Sequence, residues 1–221
     1  MKKVTIYGER HSGTTYLEEL LLLNFDVEIV WDYGSKHFFG FDDLSNSGDV
    51  LFIGIIRNLE DWINSLYRVK HNFPPYLTKT VDTFLNDAFC TYLGEGDRSF
   101  EVMIDRHIET NERWKNIFEL RMVKNKFLIE KMPKLVKKFC LITYDELCDN
   151  FIDIMNKFRD CGLIIKNKIE FPLNIQYYRR NRDIIFKKKV NEIPKKKIME
   201  KIISNKELLF YEKLLFPKLE F

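Results

Sequence analysis

Apolar and polar positions change rhythm along this chain, and the changes divide it into elements. A short β-branched run, Val4-Thr5-Ile6-Tyr7, predicts a strand over 3–7, and a helix-like stretch follows over 14–24. A brief apolar segment at Val27–Val30 reads as a second strand. The continuous run Val50-Leu51-Phe52-Ile53-Gly54-Ile55-Ile56 has the pattern of a strand buried on both faces in a parallel sheet. Helical periodicity then covers 59–70 until Pro74-Pro75 interrupts it. Thr80–Tyr92 and Arg106–Met132 read as helices, with Pro133 ending the second and Gly94-Glu95-Gly96-Asp97 as a loop between them. A strand at 138–143 and a helix at 145–161 follow, the latter closed by Cys161-Gly162 as a glycine cap. The terminal region reads as helical, with Lys187–Lys189 and Lys195–Lys197 on solvated faces. Strands alternating with helices predict a doubly wound α/β fold over 1–221 as a single domain. Its sheet is mainly parallel, with helical insertions and a helical C-terminus.

The first turn of this pattern carries the chemistry. Between strand and helix lies Gly8-Glu9-Arg10-His11-Ser12-Gly13-Thr14-Thr15-Tyr16. Strand, glycine loop and helix together aim backbone N–H groups and the positive end of a helix dipole at an anion. Gly8 and Gly13 permit a tight turn and a close approach, while Ser12, Thr14 and Thr15 add hydroxyl donors. Phosphate or sulfate binding is the leading reading. The alternative is an ordinary strand–turn–helix capped by Ser12 or Thr14. Gly8 and Gly13 have the spacing of a Walker A loop, but Thr14 stands where that loop needs a Lys for the β- and γ-phosphates. An ordinary ATPase or GTPase is disfavoured on that ground.

The loop resembles the 5′-phosphosulfate loop of sulfotransferases, whose core reads Lys-Ser-Gly-Thr-Thr-Trp. Residues 12–15 match it, Tyr16 replaces the Trp that stacks on adenine, and His11 replaces the Lys, with Arg10 beside it. The family also carries a strand ending in Arg, then Asn/Asp-Pro, then a helix with a Ser two turns in. That Arg and Ser hold the 3′-phosphate of 3′-phosphoadenosine 5′-phosphosulfate (PAPS). Arg57 and Ser65 match in type and spacing, with Leu59 in the place of Pro. Phe139–Leu147 is similar to the family's strand leading into Tyr-Glu-Asp-Leu, with Tyr144 at its Tyr. Gly34–Gly40 lies where the family places a catalytic Lys/His element. In Tyr177–Arg182, Arg179 or Arg180 corresponds to a late basic loop that closes over the 3′-phosphate, although the family's Arg-Lys-Gly form is absent.

The resemblance implies a PAPS-dependent sulfotransferase acting on a hydroxyl or amine of a small-molecule, carbohydrate or peptide acceptor, with no metal required. Residues 8–15 would cradle the 5′-phosphosulfate, Arg10 would meet the bridging oxygen, and Arg57 and Ser65 would hold the 3′-phosphate. His37, with Lys36 beside it, would act as the base, whereas His71 and His107 fall in polar helical contexts as surface residues. Two other classes stay open. One is an atypical P-loop nucleotide or sugar kinase, which needs Mg²⁺ and an acidic ligand. The other is a non-catalytic nucleotide-binding domain.

Composition narrows the setting. With 36 Lys+Arg against 33 Asp+Glu, the net charge of +3 gives no argument for nucleic acid. Hydrophobic residues at 45% of the 221 permit a full core. The sequence begins at Lys2-Lys3 and a strand, with no run of membrane-spanning length, so a cytoplasmic protein is expected. Cys90, Cys140, Cys148 and Cys161 are scattered, which argues against zinc or a disulfide framework. Cys140, in an apolar strand, is expected to be a buried small hydrophobe.

Overall fold

A computed structural model describes residues 1–37, 44–69, 73–91, 106–171, 175–177, 182–184 and 191–219. In chain order the elements begin with β1 (Lys2–Tyr7), α1 (Thr14–Asn24), β2 (Val27–Ile29), β3 (Leu51–Ile56), α2 (Leu59–Val69) and α3 (Val81–Asn86). They continue with α4 (Ile117–Lys126), α5 (Met132–Leu135), β4 (Phe139–Thr143), α6 (Tyr144–Asp149) and α7 (Phe151–Asp160). A two-stranded antiparallel hairpin, β5 (Ile175–Tyr177) and β6 (Arg182–Ile184), and the helices α8 (Lys195–Ser204) and α9 (Lys206–Leu215) complete them. The chain divides into two compact units, residues 1–57 with 132–190, and residues 58–131 with 191–221.

The first unit holds a four-stranded, all-parallel sheet in the order β2-β1-β3-β4. This is the expected doubly wound α/β architecture. One sheet face is written by alternation: Val4 and Ile6, Leu51, Ile53 and Ile55, and Cys140 and Ile142 share a core. The register confirms it, because Ile6 pairs with Ile53, Ile53 with Cys140, and Ile55 with Ile142. Leu17, Leu20 and Leu21 of α1 and Ile154, Met155 and Phe158 of α7 cover that face. Burying each such side chain contributes about 1.5–3 kcal/mol. On the opposite face Phe52 is flanked by the rings of Tyr7 and Tyr33, at centroid distances of 5.9 and 5.4 Å.

The strand order decides where ligands go. The chain leaves β1 towards β2, then returns past β1 to form β3 on its other side. That reversal opens a crevice at the carboxyl ends of β1 and β3, the position where open parallel sheets bind ligands. The loop after β1, Arg57 after β3 and Tyr144 after β4 all leave this edge.

Helix lengths depart from the sequence pattern where tertiary pairing or capping intervenes. The helix expected over Thr80–Tyr92 stops at Asn86, because Phe89 pairs with Trp114 in an antiparallel bridge. The helix expected from Arg106 starts only at Ile117, where the Asn116 side chain accepts hydrogen bonds from the Phe118 and Glu119 amides. His107 is therefore not helical. It lies in a turn, half-buried, its ring 4.8 Å from that of Trp114. Pro133 falls inside the short helix α5, directly after a π-helical turn at Phe127–Lys131. A missing proline N–H is a known cause of such widening. The helix expected over 145–161 is two helices broken at Asn150, although its buried positions keep their spacing across the break. Gly162 closes α7 at φ 94, as the glycine cap required. The hairpin β5–β6 was not foreseen.

The second unit is helical around Trp62, Phe84 and Trp114. An ion pair is sealed within it: Arg121 Nε donates to Glu212 Oε1 at 2.8 Å, with the two side chains 1% and 0% exposed. Asn125 Nδ2 adds a bond to the same carboxylate at 3.2 Å. No helix among the described residues is long and apolar enough to cross a membrane.

Candidate functional site

The loop between β1 and α1 is shaped by two left-handed residues, His11 at φ 66 and Gly13 at φ 100. Backbone of this kind turns successive N–H groups towards one concave side. A short turn, Ser12 N–H to Glu9 carbonyl at 3.0 Å, closes it. Gly8 is required by crowding, since a β-carbon there would lie 2.5 Å from Ser12 Oγ and 2.6 Å from the Ile55 carbonyl oxygen. Ser12 is fully buried, and its Oγ has no hydrogen-bond partner among the described residues. Gly13 caps α1, which carries no side-chain cap bond and no acid in its first turn. The helix N-terminus thus keeps its positive character.

Three strand ends meet through one ring. A β-carbon on Gly13 would lie 2.4 Å from Cδ2 of Tyr144, so the ring rests directly on the loop. The Arg57 guanidinium lies over the same ring at 4.9 Å, and the Tyr16 ring is 5.9 Å away. Tyr144 is held by a capping box at the start of α6: Thr143 Oγ1 accepts from the Glu146 amide, and the Glu146 carboxylate accepts from the Thr143 amide. Burial raises the Tyr144 hydroxyl well above the ordinary phenol range, more than the Arg57 charge lowers it. Burial likewise pushes Tyr16 up to about 12, helped by the negative charge that Cys148 carries as a thiolate. Both phenols stay protonated near neutrality.

No protein-family model matches the chain, and no curated protein matches it.

The segment after β2 delivers the Lys36-His37 pair. It runs beside β1: the Val30 amide donates to the Val4 carbonyl, the Tyr7 hydroxyl donates to the Tyr33 carbonyl, and the Gly8 amide donates to the Lys36 carbonyl at 2.8 Å. His37 Nδ1 lies 2.9 Å from the Gly8 carbonyl oxygen. A carbonyl only accepts, so Nδ1 carries the proton and Nε2 is the basic nitrogen of the neutral ring. Lys36 Nζ donates to Thr15 Oγ1 at 3.3 Å and lies 5.8 Å from the centre of the Trp31 ring.

The sequence-derived residues therefore fall into groups. Residues 8–16, Lys36, His37, Arg57 and Tyr144 lie at one edge of the first unit. Within the loop, Glu9 and Thr14 are buried, while Arg10, His11 and Thr15 are half-buried. Tyr16 is only 6% exposed and belongs to the core, so its ring offers little surface to a purine. Ser65 is half-buried on α2, in the second unit. Arg179, Arg180 and His71 lie outside the described residues. The contact of Lys36 with Thr15 and the wedge formed by Tyr144 were not anticipated. Neither has a signal in sequence spacing, because both depend on segments brought together by the sheet.

Proposed function

We propose that this chain is a PAPS-dependent sulfotransferase, moving a sulfuryl group to an acceptor hydroxyl or amine. The observation that carries the reading is the cradle at residues 8–15, with Lys36-His37 bonded to its first glycine and Arg57 at the next strand end. A buried Ser12 hydroxyl with no partner among the described residues, two crowded glycines and a helix start with no side-chain cap there fit a compact tetrahedral anion. PAPS supplies the sulfuryl group and leaves as adenosine 3′,5′-bisphosphate. The chain supplies the rest: amides and hydroxyls of the loop hold the phosphosulfate, and Arg57 holds the 3′-phosphate. His37 Nε2 takes the acceptor's proton. The acceptor is a small molecule, carbohydrate or peptide. Thr14 in place of a loop lysine weighs against the kinase alternative.

The donor test is direct. Adenosine 3′,5′-bisphosphate binds much more tightly than 5′-ADP, without Mg²⁺. Arg57→Ala weakens that binding at least tenfold, because a charge-assisted hydrogen bond is worth about 1.5–3 kcal/mol. Equal affinity for the two nucleotides, or a strict Mg²⁺ requirement, refutes the reading and favours a kinase. Radiolabelled PAPS offered with sugars, phenols and peptides then separates an enzyme from a binding domain without turnover.

A further inference from the structure

We propose that Lys36 is the principal cation of the anion cradle, supplied from the segment after β2 in place of the lysine that the loop lacks. The proposal rests on the reading above only in taking the loop as an anion site. Sequence spacing alone pointed instead to Arg10, the basic residue inside the loop.

Three independent features place the Lys36 charge. Its ammonium donates to Thr15 Oγ1 at 3.3 Å, and Thr15 is the second residue of α1. The charge therefore sits at the helix turn whose amides have no side-chain cap, where an anion gains most from the dipole. Its backbone carbonyl accepts from Gly8 N–H, and the ring of the next residue, His37, donates Nδ1–H to the Gly8 carbonyl. Its position near the Trp31 face, at 5.8 Å, adds a cation–π attraction.

The loop is built to receive such a charge from outside. Ser12 Oγ is buried and has no hydrogen-bond partner among the described residues, and it points across the loop at Gly8. An oxyanion beside the α1 amides and Lys36 would give the Ser12 hydroxyl a partner. The ligand class is accordingly a phosphate or sulfate ester held by a point charge, without the bidentate geometry that arginine provides. A lysine carried on a separate segment also makes the cradle depend on residues 30–37 staying laced to β1.

Inorganic pyrophosphate is the probe, titrated calorimetrically into the full chain at fixed ionic strength. Lys36→Met and Lys36→Gln are expected to weaken binding at least tenfold, Lys36→Arg to restore most of it, and Arg10→Met to weaken it less than threefold. Circular dichroism identifies any variant that has lost its fold, and Gln, which keeps a donor for Thr15, guards against a purely structural loss. A larger loss for Arg10→Met, unchanged binding in both neutral Lys36 variants, or no binding by the unaltered chain overturns the proposal. Pyrophosphate lacks the 3′-phosphate. A chain that binds it through Lys36 yet ignores the 3′-phosphate keeps this assignment while losing the sulfotransferase reading.

Discussion

Replacing Gly13 with alanine tests whether the wedge between loop and Tyr144 is real. Two penalties are expected, of different origin. Gly13 sits at φ 100, a left-handed conformation that costs a residue with a β-carbon about 1–2 kcal/mol. The new methyl would also lie 2.4 Å from Cδ2 and 2.8 Å from Cε2 of Tyr144, roughly 1 Å inside ordinary carbon–carbon contact at about 3.5–4.0 Å. The ring cannot yield easily, because the Thr143–Glu146 capping box fixes its backbone and Arg57 lies over its face. Overpacking of this kind costs about 1–3 kcal/mol, so Gly13→Ala should destabilise the chain by about 2–5 kcal/mol in all. That is a large share of the roughly 5–15 kcal/mol that holds a typical domain. Making the same change in a Tyr144→Ala background separates the terms. The clash disappears, the backbone cost stays, and the penalty should fall to about 1–2 kcal/mol. Urea unfolding followed by circular dichroism measures both. A single-variant cost under about 0.5 kcal/mol, or equal costs in the two backgrounds, refutes the wedge.

Two further outcomes test the proton acceptor and the second unit. His37→Ala and His37→Asn should both lower kcat by about 10²–10⁴-fold if His37 is the base. Asn retains an N–H for the Gly8 carbonyl, so activity preserved in Asn but lost in Ala would reduce His37 to a positioning residue. Arg121→Met should destabilise the chain by about 3–5 kcal/mol by leaving Glu212 buried without its cation. The double change Arg121→Met with Glu212→Leu should recover most of that in thermal or urea unfolding, and an additive loss would contradict the argument.

The fold was legible where one element's pattern suffices. The strands near 3–7, 50–56 and 138–143 are local apolar runs, and all three appear within a residue of their expected bounds. The helices went astray where distant partners decide the outcome. Nothing near Asn86 says that Phe89 must pair with Trp114, and that pairing ends α3. The periodicity of Leu147, Phe151, Ile154, Met155 and Phe158 passes through Asn150, so a pattern reading cannot see the break there. The same distinction holds at the candidate site. Gly8 and Gly13 could be singled out because a glycine's backbone freedom is written in its residue type. What presses on Gly13 could not, because Tyr144 arrives from β4.

The placement of Lys36 follows from the sheet rather than from the loop. β2 is only three residues long and pairs with Lys2–Val4, the first half of β1. The chain beyond it continues along the same edge, laced to β1 by one backbone bond and by hydroxyl side chains of β1. The Val30 amide donates to the Val4 carbonyl, the Thr5 and Tyr7 hydroxyls donate to the Val30 and Tyr33 carbonyls, and the Gly8 amide, just past β1, donates to the Lys36 carbonyl. A segment committed to the edge of β1 therefore reaches the β1–α1 loop at Lys36-His37. Lengthening the connection between β2 and Lys36 by one or two residues would leave the core untouched while shifting that bond off Gly8. The cation and the basic nitrogen would then move away from the loop together, which ties both to the same structural cause.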